Sequence, residues 1–168
     1  LRELSAIKGA KGRFDRISIG GITAIVDYAH TPDAVETVLT VIKDANPDRI
    51  ITVIGCGGDR DSAKRPLMGK VAAQLSDIVI ITDDNPRSED PAQIIAEMEV
   101  GVEPQNYKKT ISISDRKQAI KTACQLAQPN DIILVAGKGH ETYQDINGVK
   151  SEFNDYEITQ SFLIQLKK

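Results

Sequence analysis

Four short polar segments in this chain concentrate the residue types that do chemistry, and each follows an apolar run. Thr82-Asp83-Asp84-Asn85-Pro86-Arg87 comes directly after Ile78-Val79-Ile80-Ile81. A buried strand that empties into carboxylates, an amide, a proline and a guanidinium is not laid out for packing. In an open α/β sheet, ligands bind at the carboxyl ends of strands. Asn85 and Arg87 offer donors to a carboxylate there, with Pro86 stiffening the backbone between them. The plainer alternative is an Asx-turn before a helix at Pro91, with Arg87 paired to Glu89.

The other three segments have the same grammar. Asp27-Tyr28-Ala29-His30-Thr31-Pro32-Asp33 sets Asp27 at a strand end and His30 just before a helix N-terminus, a place suited to anions. Its bland reading is a capped helix start with a solvated histidine. Gly55-Cys56-Gly57-Gly58-Asp59-Arg60-Asp61 runs on to Lys64-Arg65-Pro66, so glycines permit close approach and Arg60, Lys64 and Arg65 supply anion partners. Its glycine and lysine spacing fits neither a Walker A loop nor a dinucleotide fingerprint. Ala136-Gly137-Lys138-Gly139-His140-Glu141 resembles a phosphate nest, but no Ser or Thr follows to hold a metal, and in isolation a surface turn explains it as well. Neither Lys64 nor Lys138 receives a role at this level.

The elements that must position these loops are legible from periodicity. Ile17–Ile19, a Gly20-Gly21 turn and Ile22–Val26 read as a hairpin. Pro32–Asp44 reads as a helix capped by Thr31, with Val35, Val38, Leu39 and Ile42 at helical spacing. Strands are expected at Arg49–Ile54, Ile78–Ile81, Ile111–Ile113 and Ile132–Ala136, and helices at Pro66–Leu75, Pro91–Glu99 and Arg116–Gln128. Thr142–Ile146, Asn147-Gly148 and Val149–Phe153 read as a second hairpin with a type I′ turn, and Asp155–Lys168 as a closing helix. Continuous apolar strands between amphipathic helices imply one Rossmann-like α/β domain: a mostly parallel sheet with helices on both faces, then a C-terminal β-hairpin and helix. If the strands before the four loops are parallel, the loops converge on one edge. That edge would hold Asp27, His30, Arg60, Asn85, Arg87, Gly137 and Glu141, a charge pattern suited to a zwitterion.

Bulk properties exclude several alternatives. At 168 residues, 40% hydrophobic and 27% charged, the chain has the composition of a soluble globular domain. A net charge of −3 and the absence of Trp argue against a polyanion binder or a base-stacking platform, so no nucleic-acid partner is expected. No run is long enough for a membrane span and no signal-peptide core is seen. Cys56 and Cys124 are expected to remain thiols in a cytoplasmic protein, and no metal site is expected because Cys56 has no Cys or His at ligand spacing. Residues 1–12 read as a linker or a fragment edge, and a start without Met points to an excised domain.

The five ordered motifs, the fifth being Lys64-Arg65-Pro66-Leu67-Met68-Gly69, resemble the Mur ligases from about Gly12 to the C-terminus, and within them the diaminopimelate-adding branch. The resemblance implies a three-domain cytoplasmic enzyme of peptidoglycan synthesis, of which residues 13–168 are the C-terminal, amino-acid-binding domain. The UDP-sugar domain and the central ATPase domain would be absent here. It further implies ATP-dependent amide formation: the γ-carboxylate of the D-Glu of UDP-MurNAc-L-Ala-D-Glu is phosphorylated, and the amine of meso-diaminopimelate attacks the acyl phosphate. ATP and Mg2+ would be bound mainly by the central domain, with none held tightly by this fragment, which alone is expected to be inactive.

Carried over by position, the resemblance assigns Arg60, Asn85, Pro86, Arg87, Ser88, Gly137 and Glu141 to meso-diaminopimelate. Arg13, Asp27 and His30 are assigned to the nucleotide side. Arg87 favours diaminopimelate over the lysine-adding branch, because lysine has no carboxylate at its distal end. That branch and a non-catalytic metabolite-binding module remain the competing readings.

Overall fold

The computed structural model describes residues 12–166. Residues 1–11, almost all of the expected linker, and residues 167–168, the end of the expected closing helix, lie outside the described residues.

In chain order the elements are β1 (Asp15–Ile19), β2 (Ile22–Asp27), α1 (Pro32–Asp44), β3 (Ile50–Ile54), α2 (Lys64–Leu75) and β4 (Ile78–Ile81). They continue with α3 (Pro91–Val100), a 3-10 turn (Pro104–Lys109), β5 (Thr110–Ser112), α4 (Arg116–Leu126), β6 (Ile132–Ala136), β7 (Tyr143–Ile146), β8 (Val149–Glu152) and α5 (Asp155–Gln165). The main sheet has six strands in the order β1-β2-β6-β3-β4-β5. Only β1 runs antiparallel, to β2; the other pairings in that sheet are parallel.

Period-two alternation sorts the strand side chains into two cores. Ile25, Ile54, Val79, Ile81 and Leu134 pack with Leu39 of α1, Met68 of α2 and Met98 of α3. Their neighbours Ala24, Val26, Val53, Ile80, Ile133 and Val135 pack on the other face with Ile120 and Cys124 of α4 and Leu163 of α5. β6 is the last parallel strand in the chain, yet it lies between β2 and β3, reached through α4 on the opposite face from α1 to α3. That is a topological switch point, where an α/β sheet opens a crevice at its carboxyl edge.

The boundaries differ from expectation in small, explicable ways. Helix α2 begins at Lys64 rather than Pro66. A proline in the first turn breaks no helical bond, because the first four N–H groups have no partner inside the helix. Helix α4 ends at Leu126 rather than Gln128, since Ala127 is already extended (ψ 141°) ahead of Pro129. The polar 3-10 turn has no apolar period to announce it. Thr31 caps α1 as expected, accepting from the Ala34 N–H at 3.2 Å. The β7–β8 hairpin turns through Asn147 (φ 53°) and Gly148 (φ 77°), the two left-handed residues that a type I′ turn requires. Cys56 and Cys124 are both buried thiols, and burial pushes the Cys56 thiol up to about 12. As a nucleophile it is inert.

Candidate functional site

The strand register brings Asp27, Ala136, Ile54 and Ile81 into one row across the sheet. The four polar loops therefore leave from the same edge, side by side in the order of their strands. Two clusters form there.

In the first, the loop after β3 lies directly on the loop after β4. The Gly58 N–H donates to the Asn85 carbonyl at 2.8 Å. A Cβ at Gly58 would sit 1.8 Å from the Pro86 carbonyl oxygen, and one at Gly57 would be 2.8 Å from Arg87 Nη1 and 3.7 Å from Arg60 Cγ. The glycines thus admit a neighbouring loop and, with it, the Arg87 guanidinium; Arg60 passes Gly57 with its stem and donates through Nη1 to the Asp59 carbonyl at 3.0 Å. Arg87 is half-buried and left-handed (φ 52°), and its Nη1 donates to the Gly58 carbonyl at 2.9 Å and the Asn85 carbonyl at 3.4 Å. Among the described residues, Nη2 and Nε make no hydrogen bond, and that edge has the geometry that can pair a carboxylate bidentately. Its backbone is also gripped: the Arg87 N–H donates to the Asp145 carbonyl at 3.0 Å and the Asn147 N–H donates to the Arg87 carbonyl at 2.7 Å. The β7–β8 hairpin is therefore the clasp on this loop.

Asn85 is 1% exposed, and its Oδ1 accepts from the Asp145 N–H at 3.0 Å and from Lys138 Nζ at 2.8 Å. Its Nδ2 donates to Glu141 Oε1 at 3.3 Å. Gly137 (φ 116°) presses its backbone against Asp84, where a Cβ would be 2.6 Å from Oδ2. Asp84 is buried, and burial raises its carboxyl above the usual range, partly offset by Arg116 and Lys138. Gln144 secures the same loop by donating to the Asp84 carbonyl at 2.8 Å.

The second cluster surrounds Tyr28. The Arg13 guanidinium lies 5.7 Å from the Tyr28 ring centre, and the His30 and His140 rings lie 4.5 and 6.1 Å from it. Both oxygens of Asp27 are engaged by backbone: Oδ2 by Phe14 N–H at 2.8 Å and Oδ1 by Ala29 N–H at 2.7 Å. Asp27 holds residues 13 and 14 against the end of β2, while Arg13 and His30 are exposed. The two clusters touch where Gly137 N–H donates to the Asp27 carbonyl at 3.0 Å.

Asn85 thus joins Arg87 to Glu141, Gly137 lies against the adjoining Asp84, the Arg60 stem passes Gly57, and Arg13, Asp27 and His30 gather beside them. Pro86 is buried, its carbonyl against Gly58 of the loop after β3, and Ser88 points its hydroxyl to Asp59 Oδ1 at 2.6 Å. Two of the expected anion partners are engaged by other groups of the chain. Lys64 Nζ donates to the His30 carbonyl at 2.9 Å. Arg65, 1% exposed, donates to Glu89, Glu97 and the Gly57 carbonyl. Glu89 therefore pairs with Arg65, not with Arg87, and the cap of α3 is Asp90 rather than an Asx-turn at Asn85.

Sequence reading named Lys138 without giving it a role and passed over Arg116 and Gln144. Arg116 had a usable signal: a cation in the first turn of a helix faces the wrong end of the helix dipole and must be held by something else. Asp155 holds it, at 2.9 Å from Nε and 2.6 Å from Nη2.

The Arg65–Glu89 pair braces the two arginine loops, because Glu89 Oε2 also accepts from the Asp59 N–H at 2.6 Å and Asp59 accepts from Ser88. The Ser88 hydroxyl holds the Asp59 carboxyl below its ordinary range, and Arg65 does the same for Glu89. A depressed carboxylate contributes stability that is present above its unfolded pKa, about 4 here, and lost as pH falls through the folded value. Urea unfolding between pH 6 and 3 is therefore expected to show a shallower acid-side loss of stability in Glu89→Gln than in the unaltered chain. An unchanged slope would remove Glu89 from the brace.

Residues 12–139 match the family model described as "Mur ligase, glutamate ligase domain". Among curated proteins, the chain is 57% identical, over 100% of its length, to 35% of the UDP-N-acetylmuramoyl-L-alanyl-D-glutamate–2,6-diaminopimelate ligase of Cytophaga hutchinsonii. It is 56% identical, over 94% of its length, to 33% of the enzyme of the same name from Bacteroides thetaiotaomicron. A solved structure of a ligase of that name superposes with a TM-score of 0.89 at 44% identity, covering 97% of this chain and 33% of the other. A murein peptide ligase from Psychrobacter arcticus, at 21% identity and a TM-score of 0.65, shares the fold. The chain spans about a third of the length of the relatives it matches.

Proposed function

Because this chain belongs to the Mur ligase family, we propose that it is the C-terminal, amino-acid-binding domain of an ATP-dependent ligase. That ligase would act in the cytoplasm and add meso-diaminopimelate to UDP-MurNAc-L-Ala-D-Glu. The observation that carries the reading is Asn85, whose carbonyl accepts from Arg87 Nη1 at 3.4 Å and whose amide donates to Glu141 Oε1 at 3.3 Å, so that one residue joins a guanidinium to a carboxylate. Guanidinium and carboxylate groups set side by side suit the distal end of diaminopimelate, which bears both an ammonium and a carboxylate; the distal end of lysine bears only the ammonium. The names of the relatives support the same ligand.

In this proposal Arg87 pairs the distal carboxylate through its Nη2 and Nε edge, and Glu141 pairs the distal ammonium. Arg60 takes a carboxylate as well, and Asn85 and Gly137 form the wall against which the ligand lies. Ser88 acts through Asp59, and Pro86 through the packing of its loop. Arg13, Asp27 and His30 belong to the face turned to the nucleotide, with Asp27 acting through the backbone it holds. The chemistry supplied elsewhere is phosphorylation of the D-Glu carboxyl, which replaces a poor oxide leaving group by phosphate. This domain's own contribution is to present an amine at fixed distance and angle, a large effect when two reactants must meet. Among the described residues no group of three or more His, Cys, Asp or Glu is placed to hold a metal ion. The proposal assigns ATP and Mg2+ mainly to the central domain of the full-length protein, with Arg13, Asp27 and His30 of this domain facing the nucleotide. No helix among the described residues is long and apolar enough to cross a membrane.

The test is ATP-dependent coupling by the full-length protein, offered meso-diaminopimelate or L-lysine with UDP-MurNAc-L-Ala-D-Glu. We expect kcat/KM to favour diaminopimelate by roughly a hundredfold or more, the discrimination of a site whose buried polar groups are left unpaired by the wrong ligand. Equal use of the two amino acids would overturn the ligand, and no coupling of either would overturn the activity.

A further inference from the structure

We infer that Lys138 is a positioning residue of the amino-acid site, fixing the Asn85 amide and one oxygen of Glu141 so that the other oxygen meets the ligand's ammonium. The inference rests on the proposal that this site takes an amino acid. Lys138 is 0% exposed. Its Nζ lies 2.8 Å from Asn85 Oδ1, 3.4 Å from Glu141 Oε1 and 3.9 Å from Asp84 Oδ1. It also sits 5.6 Å from the Tyr143 ring centre. These partners come from the loop after β4, the loop after β6 and strand β7, so one ammonium joins three walls.

Stability alone does not explain an ammonium there. Burying a charge costs free energy, and a well-packed apolar side chain often serves as well or better. The arrangement supplies orientation instead. An amide side chain can flip end for end with little change of shape. Asn85 has Lys138 Nζ and the Asp145 N–H both donating to one of its ends. A flip would set an NH2 group against two donors, so Oδ1 is held at that end and Nδ2 is turned to Glu141.

Glu141 Oε1 then receives two donors, Asn85 Nδ2 at 3.3 Å and Lys138 Nζ at 3.4 Å. Oε2 is the oxygen left to a ligand. The charges follow the same logic: Asp84 and Glu141 are two carboxylates beside one buried ammonium, which leaves a single negative charge for a single distal ammonium.

The test uses the full-length protein with Lys138→Met, which keeps the stem and removes the charge, and Lys138→Gln, which keeps a donor for Asn85. KM for meso-diaminopimelate is expected to rise roughly ten- to hundredfold in Lys138→Met, the size of a lost charged hydrogen bond. Lys138→Gln should fall between it and the unaltered protein. KM for ATP should move less than about twofold in either. A purely structural role would lower the melting temperature of both variants and leave KM for the amino acid unchanged, which would overturn the inference. Should Lys138→Met fail to fold, an unchanged KM in Lys138→Gln overturns it equally. If the unaltered protein couples no amino acid, the underlying proposal fails first, and that control separates the two failures.

Discussion

Replacing Arg87 by alanine in the full-length protein is expected to lower kcat/KM for meso-diaminopimelate by roughly a hundred- to a thousandfold, the usual cost of removing one partner of a desolvated charge pair. Lysine, with no distal carboxylate to lose, should be affected far less, so the preference between the two amino acids collapses. Arg87→Lys keeps the charge but not the planar fork, and should fall in between. The effect should not come through unfolding. Alanine at a left-handed position (φ 52°) is no more strained than the arginine already there, and the loop's main-chain bonds to Asp145 and Asn147 remain. Thermal melting beside the kinetics checks this. An Arg87→Ala protein that keeps its selectivity would take Arg87 out of the ligand site.

The second large effect lies behind the site. Arg116→Met should lower the unfolding free energy by about 3–5 kcal/mol, the cost of breaking a buried ion pair on one side. Arg116 and Asp155 are both fully buried. Besides its two bonds to Asp155, the guanidinium donates to the Asp83 and Ala136 carbonyls, each at 3.1 Å. Methionine leaves a carboxylate and two carbonyls unanswered in the interior. The double replacement Arg116→Met with Asp155→Leu should recover much of the loss, because it removes the orphaned charge. Urea unfolding of the single and double variants measures both, and a single-variant loss below about 1 kcal/mol would show the pair to be dispensable. Asp83 and Ala136 immediately precede Asp84 and Gly137, so Arg116 pins together the two strand ends that carry the proposed amino-acid site.

The physical reasons for what the sequence discloses are uneven. Apolar runs such as Ile78–Ile81 and Ile132–Ala136 announce buried parallel strands, and the 3.6 period of Val35, Leu39 and Ile42 announces α1, because burial imposes those periods locally. Parallel strands then force their exit loops to one edge, so the convergence of the loops that carry Arg60, Asn85, Arg87, Gly137 and Glu141 follows from topology without any long-range contact being known.

Which cation serves a ligand and which serves the fold is a different matter. Arg60, Lys64 and Arg65 read alike in the chain, and it is the placement of Glu89 and Glu97, 24 and 32 residues on, that pairs Arg65 within the fold. Lys138 reads as the tip of a glycine turn, yet it is buried among the loop after β4, its own loop and strand β7. Nothing near Arg87 announces that the hairpin after Glu141 will clasp its backbone. These assignments depend on residues distant in sequence, and local pattern does not carry them.

The most direct test of the central claim is a crystal structure of the full-length protein with meso-diaminopimelate bound. The account predicts the ligand's distal carboxylate on the Nη2 and Nε edge of Arg87, and its distal ammonium on Glu141 Oε2, with Glu141 Oε1 still held by Asn85 and Lys138. Diaminopimelate bound away from Arg87 and Glu141, for instance in the Arg13–Tyr28–His30 cluster, would contradict it.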